Sequence, residues 1–184
     1  SAASDVYKRQ ALAGASVIIW TTTPWTMPGN RAIAYGDDID YAVYRVDAVD
    51  EGATAKVGEL IVIAPDLVDE VKAKAAIGAL SEVARMTGAD LAGTVTGHPW
   101  AGHGYDYDVP LLAGDFVTTD QGTGFVHVAP GHGADDFELG KKHGLEVPRT
   151  VEDDGHFYQH LPLVSGLHVS VSYTHLTLPT TVFV

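Results

Sequence analysis

The sequence predicts a sheet-rich α+β or barrel-like domain with two helices. Three observations lead there. Short apolar runs recur between Gly, Pro and Asp turn signals, the pattern of buried strands. Helical spacing is confined to two stretches, 66–76 and 135–143. No internal repeat or low-complexity linker interrupts the chain, and its 184 residues suffice for one domain with a real core.

The elements follow in order. Residues 1–10 have no clear amphipathic period, and 1–15 is read as a non-core tail foreign to the body. Residues 17–20 (Val-Ile-Ile-Trp) form a buried strand that enters a Thr-rich segment. Pro24 and Pro28 then forbid a regular helix. Residues 41–46 alternate loosely as a second strand, and 60–64 is a third with a continuous apolar run. Pro65 suits the start of a helix over about 66–76, with Leu67, Val68, Val71 and Ala75 as its buried stripe. The stretch 80–85 fits either a short helix or a strand. Residues 91–97 read as a strand into a tight turn.

Residues 98–109 read as a loop that presents Trp100, Tyr105 and Tyr107. Strand candidates follow at 110–112, 116–118 and 124–129. The second helix spans 135–143, with Phe137, Leu139 and Gly140 on one face and Gly144 as its C-cap. Residues 155–158 and 167–169 close the body. The Thr-rich end differs from the acidic body, so 171–184 is read as a non-native tail and 16–170 as the domain.

Composition narrows the function. An apolar fraction of 46% with 19% charged residues fits a soluble globular protein. The formal net charge is −13, from 24 acidic and 11 basic side chains. Such a surface repels phosphate backbones, which argues against an autonomous nucleic-acid binder but leaves room for an RNA held by other parts of a larger protein. The chain has no cysteine, which removes disulfides, thiolate nucleophiles and Cys-ligated zinc. No stretch approaches 18 apolar residues, so no membrane span is expected. The N-terminus lacks the basic-then-apolar pattern of a signal peptide.

Two segments carry the chemistry. Residues 20–30, WTTTPWTMPGN, offer a row of hydroxyls. Residues 122–137, GTGFVHVAPGHGADDF, offer imidazoles and carboxylates on a Gly-rich bend. Together they would line a polar pocket able to hold a small amine-bearing substrate and a water. On an extended backbone Thr21 and Thr23 share one face and Thr22 takes the other. They are either plain sheet surface or a fixed set of donors stiffened by Pro24 and Pro28.

Asp135 and Asp136 open the second helix. One suits a cap or first-turn carboxylate, and the other faces elsewhere. If Asp136 faces an enclosed pocket its charge needs a cation, which a substrate ammonium supplies. Alternation puts His127 on the face opposite Val126 and Val128, as base, donor, steric wall or satisfied structural histidine. His132, between two glycines, lines the rim. His98, His103, His127 and His132 form no standard ligand spacing, so no metal is expected. No Gly-x-Ser-x-Gly elbow, Walker loop or dinucleotide fingerprint is present.

The two segments, in this order and with IAPDLVDEV at 63–71 between them, resemble the editing domain of isoleucyl-tRNA synthetase, over roughly residues 16–170. Valine and leucine relatives usually carry Thr-Thr-Arg-Pro in the first motif. Thr23 stands here in place of that Arg, which favours the isoleucine type. The resemblance implies a β-barrel-like editing module with peripheral helices. It implies hydrolysis of valine wrongly esterified to the isoleucine tRNA. Asp136 would bind the substrate α-ammonium. His127 would exclude isoleucine and order the reacting end. Thr21, Thr22 and Thr23 would bind the aminoacyl group and the terminal adenosine or water. Trp20 would wall the adenosine.

No cofactor is expected for editing. ATP is expected only for the parent synthetase, whose ATP-binding signatures are missing from this chain. The expected partners are the aminoacylated 3′ end of the tRNA and the parent's remaining domains, in the cytoplasm. Two other readings remain: a valyl-tRNA synthetase editing domain that clears threonine, and a noncatalytic structural fragment.

Overall fold

A computed structural model describes residues 2–171 and 181–183, the side chains from residue 5 to 171. Among them are three α-helices, α1 (Ala2–Leu12), α2 (Val68–Lys74) and α3 (Ala134–Lys142). The strands are β1 (Ser16–Ile18), β2 (Ala32–Tyr35), β3 (Asp40–Val49), β4 (Leu60–Ile63), β5 (Ile77–Thr87), β6 (Val95–Gly97), β7 (Asp108–Ala113), β8 (Phe125–Val128) and β9 (Thr181–Phe183). They make two open sheets, ordered β5-β3-β4-β1-β9 and β6-β7-β2-β8. The mixed α and β composition is as expected, while the sheets stay open rather than closing into a barrel.

Period-two alternation explains the layering. Tyr41 and Val43 of β3, Val62 of β4, Ile33 and Tyr35 of β2 and Phe125 of β8 point into one core shared by both sheets. The intervening Ala42, Tyr44, Ile61 and Ile63 pack outward against Val71 of α2. Ala32, Ala34 and Val128 pack outward against Leu139 of α3. The central strands β2 and β4 are thus covered on both faces, which is why they are apolar throughout. The same parity turns His127 inward with Phe125, away from α3.

Several expectations change. The segment expected as a non-core tail contributes to the core: α1 spans Ala2–Leu12, and Ala11, Leu12 and Ala15 enter the main core. Tyr7 donates to the Val83 carbonyl at 3.0 Å and Lys8 pairs with Asp90 at 2.7 Å, so long-range contacts fix a helix of weak amphipathicity. The ambiguous 80–85 stretch lies within β5, paired along most of β3. Residues 116–118 form no strand. The helix expected over 66–76 opens with a 3-10 turn at Pro65–Leu67 and continues as α2. In α3, Phe137 is exposed while Leu139 and Gly140 are buried. The 98–109 loop turns its aromatics inward: Trp100 and Tyr105 are buried, and Tyr105 stacks on His98 with ring centroids 4.8 Å apart. The tail 171–184 lies largely outside the described residues, although the β9 backbone pairs antiparallel with β1.

Gly124 sets the entry into β8. Its φ is +86°, the Tyr41 hydroxyl donates to its carbonyl at 2.6 Å, and a Cβ there would lie 2.5 Å from Ala64 Cβ. Left-handed strain and overpacking add, so Gly124→Ala should cost roughly 3 kcal/mol. Urea unfolding would register this as a lower midpoint at unchanged slope; a midpoint within error of the parent would contradict it.

Candidate functional site

Pro24–Gly29 forms a 3-10 turn, the structure left to a segment with prolines at its first and fifth positions. The turn lowers Thr26 into the protein. Thr26 is buried, and its Oγ1 lies 2.8 Å from the Thr23 carbonyl and 2.7 Å from His127 Nε2. A hydroxyl has one proton. Donated to the Thr23 carbonyl, it leaves Oγ1 to accept from His127 Nε2–H. His127 Nδ1 is then a bare acceptor, buried with no protein partner among the described residues. The Asn30 side chain, fully buried just after the turn, likewise has no hydrogen-bond partner among them. Buried polar atoms of this kind are normally satisfied, so these mark a place for a ligand group or water.

A second contact joins the segments. The Trp25 ring meets His132 edge-on, with centroids 4.9 Å apart, and a Cβ on Gly29 would fall 3.4 Å from the same imidazole. His132 Nε2 bonds Thr150 Oγ1 at 2.7 Å. Two residues past His127, the Ala129 amide donates to Asp136 Oδ2 at 2.9 Å. That contact aims the carboxylate back along the bend. The helix N-cap is Gly133, without a side-chain cap, and exposed Asp135 is left to offset the first-turn dipole.

The expected residues divide accordingly. His127, His132 and Asp136 lie around one bend, and the turn after Thr23 docks on it. Thr21 and Thr23 do share a face: Thr21 Oγ1 lies 3.3 Å from Thr23 Oγ1 and accepts from the Thr23 amide at 3.0 Å. Thr22 is exposed, with no hydrogen bond among the described residues. Among the described residues no hydrogen bond joins Asp136 to the three threonines; Thr26 and His127 on one side and Ala129 on the other link the two segments. Trp20 stands apart, half exposed, its ring 4.7 Å from Lys74 Nζ of α2. Sequence reading passed over Thr26, Trp25 and Asn30. The signal for Thr26 was its offset of three from Thr23, one 3-10 turn, just past a proline.

Burial dominates the electrostatics. It holds the His127 imidazole down to about 4, and nearby His98 and His132 add repulsion toward a proton. His98 also sits at about 4 through burial, with Met27's carbonyl opposing and Arg31 reinforcing the shift. Burial lowers His132 as well. Asp136 is raised by burial, against the Ala129 hydrogen bond that favours its charge. At neutral pH His127 therefore accepts a hydrogen bond without taking the proton, while burial weighs against the charge on Asp136.

Those shifts set the acid stability. Between the ordinary value of 6.5 and about 4, unfolded His98 and His127 carry protons that the folded chain refuses. Stability should be complete above that window and fall as pH drops through it, by up to about 3 kcal/mol per histidine. Asp136, raised, works the other way at the acid end: its contribution is lost as pH rises through its folded value. Urea midpoints from pH 7 to 4.5 should decline, and His127→Gln should flatten the decline. An equal slope in that variant would contradict the assignment.

A family model described as "Leucyl-tRNA synthetase, editing domain" matches residues 61–167. The chain is 50% identical over 165 residues to the isoleucine–tRNA ligase of Gluconobacter oxydans, covering 90% of this chain and 17% of that protein. It is 47% identical over 167 residues to that of Caulobacter vibrioides, covering 86% and 17%. The chain thus spans about a sixth of the length of these curated relatives. Among solved structures, the P. knowlesi cytosolic leucyl-tRNA synthetase editing domain superposes with a TM-score of 0.56 at 13% identity, over 88% of this chain and 64% of that one. The P. falciparum domain gives 0.51 at 14%, over 67% and 46%. These shared folds are open to any sequence that builds the same two sheets, but the family model and the high identities are not. The chain belongs to the family described as the leucyl-tRNA synthetase editing domain, and the curated relatives it resembles here are isoleucine–tRNA ligases.

Proposed function

We propose that this domain hydrolyses the ester joining valine to the isoleucine tRNA, removing a product of misacylation. The carrying observation is the buried Thr26–His127 hydrogen bond, which docks the Thr-rich turn on the bend that bears Asp136. One methylene separates valine from isoleucine, and an apolar pocket extracts only about 1–3 kcal/mol from it. A second, smaller pocket that admits valine alone corrects the resulting error.

The chemistry needs few groups. The substrate ammonium neutralises the Asp136 carboxylate, whose proton affinity is raised by burial, with Asp135 adding repulsion. Asp136 then anchors and does not act as general base. A water attacks the ester carbonyl carbon. The tetrahedral intermediate collapses with cleavage of the bond to the ribose oxygen, which takes up a proton, and valine and tRNA leave. His127 Nδ1 accepts a hydrogen bond from the water or the ribose hydroxyl while the ring limits the amino acid's size. Thr21 and Thr23 supply hydroxyls to the aminoacyl end. Thr22 and Trp20, both facing solvent, suit contacts with the terminal adenosine. Orientation and preformed hydrogen bonds supply the acceleration without metal or cofactor.

The wider setting belongs to the same proposal. The parent's other domains would hold the tRNA body and use ATP, in the cytoplasm, and only the 3′ end would visit this acidic domain.

The test is deacylation of Val-tRNA(Ile) and Ile-tRNA(Ile) by this chain and by an isoleucine–tRNA ligase carrying it. Asp136→Ala should lower Val-tRNA clearance by about a hundredfold, as loss of a charge-assisted anchor of 2–3 kcal/mol implies. His127→Ala should raise clearance of Ile-tRNA. An unchanged Val-tRNA rate for the Asp136 variant within the full ligase would remove the anchor role. Faster release of threonine from the valine tRNA would favour a valine-type editor. No clearance by the unaltered ligase chimera would leave a packing fragment.

A further inference from the structure

We propose that a recess beside the editing bend is a docking site for a phosphodiester of the RNA strand leading to the esterified end. The inference rests on the deacylase reading and adds a second contact for the same substrate. The recess, of about 300 Å³, lies between Pro28 of the 3-10 turn and the 146–149 and 160–162 segments. It shares a wall with the editing site. Pro28 follows Thr26 by two residues. A Cβ on Gly131, within the bend, would fall 3.0 Å from the Pro148 carbonyl. The Tyr107 hydroxyl donates to the Asn30 carbonyl at 3.1 Å.

Charge makes the recess unusual in this chain. Five arginines are present, and the structure directs Arg31 and Arg149 to this one place. Arg45 and Arg85 are instead bound to Asp47 and Glu82 at 2.8 Å. Arg149 is exposed and has no ion pair among the described residues. Arg31 is mostly buried and stacks on the Tyr107 ring, 4.2 Å from its centroid. Its ion pair with Glu146 is long, 3.4 Å, and the Glu146 side chain is 74% exposed. A phosphate would meet a guanidinium already oriented by an aromatic face, and could displace a loosely held carboxylate. His160 stands at the same rim. With a net charge of −13 over the chain, a nucleic-acid strand is repelled almost everywhere else, which concentrates its binding here.

The ligand class is a nucleotide strand rather than a lone anion. Two guanidiniums satisfy backbone phosphate, and the half-buried Tyr107 adds an apolar flank where ribose or base can rest.

Binding can be read without any ester. Fluorescence anisotropy would follow a 3′-labelled single-stranded RNA hexamer ending in CCA with the chain and with Arg149→Glu. Because Arg149 is exposed, its replacement should leave folding intact, as circular dichroism would verify. The variant should bind at least tenfold more weakly. Its plot of log affinity against log salt should be shallower by about 0.7, the loss of one single-strand phosphate contact. Equal affinity and slope in a folded variant would overturn the proposal. Inorganic phosphate displacing the hexamer at the hexamer's own dissociation constant would also overturn it, in favour of a free-anion site. Failure of the deacylase reading would appear separately, as a hydrolysis result on the unaltered chain.

Discussion

A buried imidazole with one nitrogen spoken for governs this domain. His127 faces inward because β8 alternates, and the inward face is the shared core of two sheets. Burial there denies it a proton, and the Thr26 hydroxyl supplies its one side-chain hydrogen bond among the described residues. That bond also holds the 3-10 turn down, so the geometry of the Thr-rich segment depends on it. Removing the hydroxyl would strand a buried N–H at a cost of about 1–3 kcal/mol and free the turn from its anchor. Stability and site geometry share this contact, which ties the fold's middle layer to its chemistry.

The fold was legible where apolar periodicity was strong. The β4 run, the Pro65 start of the following helix and the α3 segment with Gly144 beyond its end follow from local physics. The failures have local reasons too. Residues 1–10 carry no stripe, because α1 is held by Tyr7 and Lys8 reaching β5 and the loop after it. The 80–85 stretch was undecidable because β5 is half exposed and its partner β3 is remote in sequence. The aromatics at 100, 105 and 107 looked like surface features of a polar loop. Nothing local says that His98 will gather them into the interior, bonded through Nε2 to the Met27 carbonyl at 3.0 Å.

Of the candidate site, the motifs revealed the two partners but not how they touch. His127, His132 and Asp136 were legible as types on a Gly-rich bend. Thr26 was hidden behind three more conspicuous threonines, since only a 3-10 turn makes an offset of three point inward. Trp20 and Thr22 were grouped with the rest by adjacency, whereas the strand's end turns them outward. Asn30 ended the motif unnoticed, and its complete burial is a tertiary fact.

The contact between the Ala129 amide and Asp136 has a geometric corollary. It closes the bend 130–135 into a loop of set size, with an imidazole at its entrance and a carboxylate at its exit. The separation of imidazole and carboxylate therefore follows the backbone path of the bend as well as the two side chains. An inserted or deleted residue in the bend would shift that separation even with both side chains retained.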